Sequence, residues 1–276
     1  YDLNGTNWKF DQQTSVKEAV KAARKSDVIV VCVGENTYCE TPGNDVDMNL
    51  SANQKELVKQ LAATGRPIIL ILNEGRPRII KDIEPMATAV VDMLLPGNYG
   101  GDALAALLCG EENFSGRLPF TYPKYVNKFA VYDYKPSESQ GMMSGSYNYN
   151  AVMDIQWPFG HGLSFSKFKY RRAKYRDGVL RIPVKNVSKI DGDEVVQVYI
   201  KKADDVDGPI MSLRGFKRVP VKAGKKAVVE IPMSAENIDL FNPETGKMEA
   251  APGKYIVYYG GTSDITKLRK LKITIR

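Results

Sequence analysis

The sequence has little of what most metal centres and disulfide frameworks require. Of its 276 residues, one is a histidine, His161, and three are cysteines. Cys32, Cys39 and Cys109 form no Cys-x-x-Cys pair, and their odd number does not fit a disulfide framework. Long apolar runs are also missing, since none reaches the roughly 18 residues of a membrane-spanning helix. We therefore expect neither a metal site nor a membrane span.

Charge is plentiful but is not concentrated. Lys and Arg number 39 against 32 Asp and Glu, which gives a formal net charge of +7. The basic residues are dispersed, whereas a nucleic-acid-binding surface needs them on one face. The densest group, Lys267 to Lys272, is interrupted by Leu268 and Leu271, which predicts an edge strand with a solvated face. The pattern argues against nucleic acid as a partner.

Length and composition predict two globular domains. A chain of 276 residues exceeds the usual single-domain size, and 43% of it is hydrophobic, enough for two cores. The first residue is Tyr1 and no signal peptide precedes it, so we expect a processed or excised piece whose true start is missing. The pattern of the sequence changes near residue 160, from alternating strand and helix patterns to short β-rich runs. This change predicts domains at 1–160 and 161–276.

In the first part of the chain, strand and helix patterns alternate. Capping patterns at Ser15/Glu18 and Ser51/Gln54 predict two helices, and Gly65 is placed to end the second. The predicted elements are a helix to about Lys25, a strand Val28–Val33, a helix Lys55–Ala63, and strands Ile68–Leu72 and Ala89–Leu94. Such alternation favours an α/β fold, part of a three-layer α/β sandwich with a mostly parallel sheet whose first strands are missing.

After about Phe165 the helical patterns stop and short β-rich runs recur. The runs are 179–184, 194–200, 213–219, 227–231, 254–259 and 267–275. Turn pairs such as Thr245-Gly246 and Pro252-Gly253 separate them, which predicts an immunoglobulin-like sandwich. Because no cysteine pair bridges it, a fibronectin type III topology is favoured. The connection Tyr122–Trp157 lacks periodicity and either packs over a functional surface or links the domains.

A polar loop follows the first predicted strand. Ligands of open α/β sheets bind at the carboxyl ends of the strands, and there the sequence continues as GENTYCETPGND (34–45). The loop carries Glu35, Glu40 and Asp45, and a carboxyl group on such a loop suits general acid–base catalysis. The residues equally allow a surface role, in which Glu35 caps the strand or pairs with a lysine.

This loop resembles the acid/base loop of glycoside hydrolase family 3, in its exo-glucanase and β-glucosidase branch. The shared pattern is a strand, Gly-Glu, a few residues, Tyr, one residue and Glu-Thr. Matched residue by residue, the resemblance implies that Glu40 is the general acid/base. Glu35 falls on the glutamate at the strand end, for which it implies a structural or supporting role.

Further segments are similar to the same family, in order along nearly the whole chain. LLPGNYGGDALAALLCGEENFSGRLPFTYP (94–123) resembles its strand–turn–helix segment, and WPFGHGLSF (157–165) resembles the junction to its fibronectin-like domain. GDEVVQVYI (192–200), LRGFKRV (213–219) and PGKYIVYYG (252–260) fit strands of that domain. The resemblance implies a β-glucosidase-like hydrolase, periplasmic or secreted in bacteria.

The resemblance also implies what the chain needs from elsewhere. In the family, the nucleophile is an aspartate on a preceding (β/α)₈ barrel. The resemblance therefore implies that this chain contains no nucleophile and does not hydrolyse glycosides alone. It also implies that no cofactor is needed. Cys39 stands where many β-glucosidases of the family have Ser, and Pro42 and Asn44 also lie in the loop that shapes the sugar pocket. The substrate is expected to be an oligosaccharide or β-glucoside, with β-xylosidase and broader exo-glucanase activity as alternatives.

Other motifs favour structural interpretations. The glycines of PGNYGGD (96–102) suggest a phosphate cradle but lack P-loop or GxGxxG spacing, so a tight turn is favoured. His161 is interpreted as structural, and Tyr147, Tyr149 and Trp157 as packing residues rather than sugar-stacking ones. Two other function classes remain open: a non-catalytic carbohydrate-binding or scaffolding module, and, more remotely, a flavodoxin-like nucleotide binder.

Overall fold

The computed structural model describes residues 16–35, 47–126, 131–138, 154–235, 238–242 and 244–276. The chain divides into two compact units. The first comprises residues 1–105 and 123–129, and the second comprises residues 106–122 and 130–276. Among the described residues, no helix is both long enough and apolar enough to cross a bilayer.

The first unit contains the predicted α/β alternation. Its elements are α1 (Val16–Ala23), β1 (Ile29–Gly34), α2 (Ala52–Ala62), β2 (Ile68–Asn73), a 3-10 turn (Glu84–Met86) and β3 (Ala89–Asp92). Within the described residues the sheet has the order β1-β2-β3, and both pairings are parallel. In register, Val31 lies opposite Leu70 and Ile71 lies opposite Val91. The predicted parallel sheet is confirmed.

Helix α2 shows how local sequence sets the boundaries. The Ser51 hydroxyl accepts a hydrogen bond from the Gln54 backbone at 3.5 Å, which satisfies one of the free N–H groups at the helix start. The helix therefore begins at Ala52, three residues before the predicted start at Lys55. Gly65 follows the end with φ 73°, a conformation that glycine adopts without strain.

Strand β1 differs from the prediction in its burial. A continuous apolar run such as this one is typical of a strand that is buried on both faces, but burial alternates along β1. Ile29 and Val31 are buried, whereas Val30 is 47% exposed. The reason is topological: in the described residues β1 is an edge strand, and the side chains of its two faces meet different surroundings.

The second unit is dominated by antiparallel strands. Helix α3 (Gly100–Cys109) contains the boundary between the units. The strands in chain order are β4 (Tyr122–Pro123), β5 (Ile155–Trp157), β6 (Phe168–Tyr170), β7 (Lys174–Arg176), β8 (Val179–Asn186), β9 (Gly192–Lys202), β10 (Ser212–Val221), β11 (Lys226–Pro232), β12 (Asp239–Asn242), β13 (Lys247–Ala250), β14 (Gly253–Gly260) and β15 (Arg269–Ile275).

Two sheets form the sandwich in the part of this unit that the structure describes. One has the order β10-β9-β14-β15 and the other β11-β8-β6, with β7 also pairing with β8. Alternate residues of both sheets, such as Ile182, Val198 and Val257, are fully buried between them. Each such side chain contributes roughly 1.5–3 kcal/mol through burial. The basic run near Lys270 lies on β15 at a sheet edge, as predicted.

The predicted fold class, an α/β domain followed by an immunoglobulin-like sandwich, is confirmed. The hairpin β12–β13 is not among the predicted strands, although the turn pair Thr245-Gly246 lies between its two strands. In the hairpin, Phe241 pairs with Met248, and both side chains are more than half exposed. Neither short strand contains a fully buried residue among those that the structure describes, so no strict apolar alternation marks them in the sequence.

Candidate active site at the carboxyl edge of the parallel sheet

Two acidic residues follow neighbouring strands at one edge of the parallel sheet. Gly34 and Asn73 end β1 and β2 and lie opposite each other in register. Glu35 comes directly after the first strand and Glu74 after the second. The Glu35 backbone N–H donates to the Asn73 carbonyl at 3.0 Å, which continues the pairing one residue beyond β1. The register therefore brings Glu35 to the segment that follows β2.

The Glu35 side chain is buried and is held by four hydrogen bonds from described residues. The backbone N–H groups of Gly75 and Arg76 donate to Oε2 at 2.8 and 2.9 Å. The Arg76 Nε and Arg78 Nη2 atoms donate to Oε1 at 2.7 and 2.6 Å. Only 2% of the Glu35 side chain is exposed. Charge-assisted bonds of this kind are about twice as strong as neutral ones, so the carboxylate is firmly fixed.

Burial by itself raises the pKa of the Glu35 carboxyl, because a buried charge loses its hydration. The hydrogen bonds from the Arg76 backbone and guanidinium, the Gly75 backbone and the Arg78 guanidinium oppose this effect. Together these hydrogen bonds outweigh the effect of burial, so the pKa of Glu35 lies below its usual value. Glu35 is therefore ionised at neutral pH and has no proton to donate.

Arg78 connects three parts of this edge. Its Nη1 atom donates to the Asp47 carbonyl at 2.8 Å, while Nη2 binds Glu35. Its backbone N–H donates to Glu74 Oε2 at 3.2 Å, and Glu74 is only 1% exposed. The Arg78 side chain is 10% exposed. One buried guanidinium thus contacts the residues on both sides of positions 36–46.

The end of β1 is fixed from α2 as well. The Gly34 N–H donates to Gln54 Oε1 at 2.7 Å, and Gln54 Nε2 donates back to the Gly34 carbonyl at 3.0 Å. Gly34 has φ 154°, and a Cβ at this position would lie 2.0 Å from the Asn73 carbonyl oxygen. Only glycine allows this close approach of the two strand ends.

The residues predicted to carry the chemistry fall into two groups. Glu35 lies at the predicted sheet edge, whereas Glu40 and Asp45 lie outside the described residues, as do Cys39, Pro42 and Asn44. Sequence reasoning missed Arg76, Arg78 and Gln54. A signal for the arginines was present, because NEGRPR (73–78) follows the second predicted strand and must reach the same edge.

The turn of PGNYGGD (96–102) is explained by its backbone. Gly97 has φ 64°, and a Cβ on Gly100 would lie 2.4 Å from Cβ of Pro96. Both glycines are therefore required by the turn itself. Among the residues that the structure describes, no three His, Cys, Asp or Glu side chains are grouped so that they could hold a metal ion.

His161 and Trp157 pack together in the second unit. Their rings are parallel with centroids 6.2 Å apart, and Trp157 also meets Tyr122 edge-on at 4.9 Å. Burial, together with the nearby charges of Lys267 and Arg117, lowers the pKa of His161. The imidazole is therefore neutral at pH 7. Tyr147 and Tyr149 lie outside the described residues.

Comparison with protein families decides the relationship. Residues 3–165 match the glycosyl hydrolase family 3 C-terminal domain, and residues 194–263 match the fibronectin type III-like domain. The chain belongs to glycoside hydrolase family 3. The first match includes the whole parallel sheet and the segment of Glu40, and the second begins within β9.

Family 3 relatives resemble the chain along most of its length. A xylan 1,4-β-xylosidase of Xylanibacter ruminicola is 36% identical over 84% of the chain and 27% of the relative. A periplasmic β-glucosidase of Salmonella typhimurium is 30% identical over 90% of the chain and 34% of the relative. A lysosomal β-glucosidase of Dictyostelium discoideum is 32% identical over 90% and 31%, respectively. The chain thus spans about a third of the length of these relatives.

Solved β-glucosidase structures share the fold. A β-glucosidase from Listeria innocua in complex with glucose superposes with a TM-score of 0.83 at 24% identity, covering 94% of this chain and 38% of that one. A β-glucosidase from Erythrobacter marinus gives 0.81 at 29% identity, with 95% and 36% covered. The fold of this chain is therefore shared with both of these β-glucosidases.

The ionised state of Glu35 predicts acid sensitivity in this family 3 domain. Because the folded-state pKa of Glu35 is lowered, its contribution to stability is present above its unfolded pKa and is lost as pH falls through the folded value. Glu35→Gln should therefore lower the unfolding temperature at pH 7 and have a smaller effect near pH 3. Calorimetry across this pH range checks the trend, and an equal loss at both ends would contradict it.

Proposed function

We propose that this chain is the C-terminal part of a retaining β-glycosidase that removes terminal non-reducing β-D-glucosyl residues. In this proposal Glu40 is the general acid/base, and the nucleophile is an aspartate of an N-terminal (β/α)₈ barrel in the same protein. The observation that carries the proposal is the family 3 match over residues 3–165, which contains Glu40 within the family's Gly-Glu…Tyr-x-Glu-Thr pattern. The greater length of the relatives supports a further domain.

The proposed reaction has two steps. In the first, the nucleophile attacks the anomeric carbon while the Glu40 carboxyl group protonates the departing glycosidic oxygen. In the second, the Glu40 carboxylate takes a proton from water, which attacks the glycosyl-enzyme and releases the sugar with its β configuration retained. Glu40 therefore needs a proton at the start of each cycle and must be able to give it up.

Glu35 is unsuited to that role and is proposed to support it. Its carboxylate is ionised, buried and already occupied by Gly75, Arg76 and Arg78. A general acid must present a proton within hydrogen-bond reach of the substrate. Glu35 instead fixes the point at which the chain leaves β1 toward Glu40.

The sugar is proposed to be glucose, and xylose is the second candidate. β-Glucosidases are numerous among the similar proteins, but the xylosidase of Xylanibacter ruminicola has the higher identity of the relatives compared above. The two sugars differ by the hydroxymethyl group on C5. A pocket that hydrogen-bonds this hydroxyl would lose the bond with a xyloside, leaving a polar group unpaired.

The test is to measure kcat/KM of the full-length protein for 4-nitrophenyl β-glucoside and 4-nitrophenyl β-xyloside. We expect kcat/KM to be about tenfold or more higher for the glucoside than for the xyloside. Tenfold is the low end of the discrimination that one substrate group provides. A preference for the xyloside would replace the substrate assignment while keeping the reaction. Failure to hydrolyse either glycoside would contradict the proposed activity.

The remaining expectations concern the surroundings of the protein. We infer that the substrate is an oligosaccharide or β-glucoside and that neither a nucleic acid nor a membrane is a partner. A periplasmic or secreted location is supported by the Salmonella relative, whose name describes it as periplasmic. Fractionation of the native host, with detection of the protein by antibody, tests the location.

A further inference from the structure

The outer face of one sandwich sheet is strongly basic. Strands β6, β7, β8 and β11 form this sheet in the described part of the chain, and their residues alternate between the core and the outside. The core side carries aromatic and aliphatic residues such as Phe168, Tyr175 and Ile182. The outward positions contain six cations, which are Lys169, Lys174, Arg176, Arg181, Lys185 and Lys226. We call this surface the basic face.

The strand register places three lysines of the basic face side by side. Lys185 on β8 pairs with Lys169 on β6 and with Lys226 on β11. Like charges that lie directly opposite each other destabilise a sheet, so this row of lysines costs stability instead of adding to it. A feature that breaks a rule of sheet stability is expected where a surface has a function.

Few carboxylates offset the charge of the basic face. Glu230 is the acidic residue at the outward positions of these four strands that the structure describes, and it binds Arg181 at 2.7 Å. Asp177 follows β7 and lies 3.1 Å from Arg176. Two carboxylates thus oppose six cations, which leaves an excess of four positive charges on one side of the sheet. The partner that fits such a surface is a polyanion.

The composition of the face narrows the kind of polyanion. Single-stranded nucleic acids bind where bases can stack on aromatic rings, but the rings of Phe168, Tyr170 and Tyr175 pack against the core. Four of the six cations are lysines, which act as compact point charges, whereas the planar arginine side chain is favoured for recognising phosphate. The basic face therefore suits carboxylate groups repeated along a polymer better than it suits phosphates.

We propose that the basic face binds an acidic polysaccharide that carries carboxylate groups. The choice of a polysaccharide among polyanions rests on the function proposed above, in which the protein acts on glycans. Neighbouring strands lie about 4.8 Å apart, and outward residues repeat about every 6.7 Å along a strand, so the cations form a flat grid. A grid of exposed charges binds a polymer of opposite charge at many points, and salt weakens that binding.

The test is the binding of polygalacturonate, which has a carboxylate on every sugar, to the full-length protein. The variant Lys169→Gln/Lys185→Gln/Lys226→Gln removes the row of lysines. We expect its Kd at low salt to be about tenfold higher than that of the wild type, within the range for three exposed ion pairs. The dependence of Kd on salt concentration should also become weaker, because fewer charges take part.

A matched control removes the same charge from the other sheet. Lys254→Gln/Lys270→Gln/Lys272→Gln changes exposed lysines of β14 and β15, and its Kd should rise less than about twofold, since salt screens distant charges. Thermal unfolding is measured for every variant. If the row variant is less stable than the control, the double variant Lys169→Gln/Lys226→Gln, which changes only exposed side chains, decides instead.

Each outcome bears on the proposal. A larger loss of affinity in the row variant than in the control supports it. Equal losses would show a response to net charge alone, and either no binding of polygalacturonate or equal binding of neutral dextran would show that the face does not recognise carboxylates; each result overturns the proposal. Tighter binding of oligothymidylate or of phosphatidylglycerol vesicles, at equal concentrations of anionic groups, would overturn the choice of partner.

Hydrolysis of 4-nitrophenyl β-glucoside, measured in parallel, keeps the two proposals apart. The row variant should hydrolyse this small substrate at the wild-type rate, because the substrate does not extend over a polymer-binding surface. A wild-type protein that binds polygalacturonate through the basic face but hydrolyses no glycoside would contradict the proposed function alone. A protein that hydrolyses the glucoside but binds polygalacturonate no better in the wild type than in the row variant would contradict the basic face alone.

Discussion

Replacing Glu40 by glutamine in the full-length protein is expected to reduce turnover of unactivated β-glucosides by about 100- to 10,000-fold, the range that general acid–base catalysis contributes. Glutamine preserves the size of the side chain but has no acidic proton to give to the departing oxygen. Oligosaccharides and alkyl glycosides have poor leaving groups and depend most on that proton. The quantity to measure is kcat/KM for a series of glycosides that differ in the pKa of the leaving alcohol.

The series contains its own control. For an activated aryl glycoside such as the 2,4-dinitrophenyl derivative, the first step needs little protonation, so its rate should survive far better in Glu40→Gln. A plot of log kcat/KM against leaving-group pKa should therefore be steeper for the variant than for the wild type. Equal losses along the whole series would show that Glu40 does not act as an acid.

The second large effect is expected in the second unit, where a charged pair is buried. Arg117 Nη2 lies 3.0 Å from Glu194 Oε2, and their side chains are 9% and 5% exposed. The Tyr170 hydroxyl donates to the other oxygen of Glu194 at 2.5 Å. Burial raises the pKa of Glu194, and the bonds from Tyr170 and Arg117 only partly offset that cost. Glu194 therefore depends on Arg117 to remain buried as a charge.

Arg117→Met should lower the free energy of unfolding by about 3–5 kcal/mol, because it leaves the Glu194 charge buried without its partner. Urea unfolding followed by tryptophan fluorescence measures the change. Adding Glu194→Leu to the variant should recover part of the loss, since the orphaned charge is then removed as well. If the single variant were as stable as the wild type, the pair would contribute nothing to the fold.

A surface pair provides the matched control for this experiment. Arg181 and Glu230 form a cross-strand pair at 2.7 Å between β8 and β11, with side chains 42% and 55% exposed. Exposed pairs contribute about 0–1 kcal/mol, because water screens the charges. Arg181→Met should therefore cost less than 1 kcal/mol. The contrast between the two arginines isolates the effect of burial from that of losing a cation.

Most of the regular structure could be predicted because the apolar residues recur with the period of a helix or of a strand. Strands β1 and β2 and the longer sandwich strands, such as β8 and β9, each bury at least one face and so need regular apolar positions. Val30 shows the limit of this reasoning. It is apolar yet 47% exposed, because a continuous apolar run does not show which face of an edge strand is covered.

The site was only half predictable for a different reason. The position of Glu35 after a strand is a local feature, which the sequence shows directly. Its partners Arg76 and Arg78 are more than forty positions away, and their contact depends on the register of β1 against β2. Register follows from packing and not from local pattern, so the arginines could be placed at the right edge but not assigned to Glu35.

The central claim is that the carboxyl group of Glu40 works on the β face of the sugar, opposite the nucleophile. Glu40→Ala in the full-length protein, supplied with 2,4-dinitrophenyl β-glucoside and sodium azide, tests it most directly. Azide can enter the space left by the carboxyl group and attack the glycosyl-enzyme, so rates should recover and the product should be β-glucosyl azide, identified by NMR. Formation of α-glucosyl azide, or no rescue at all, would contradict the account.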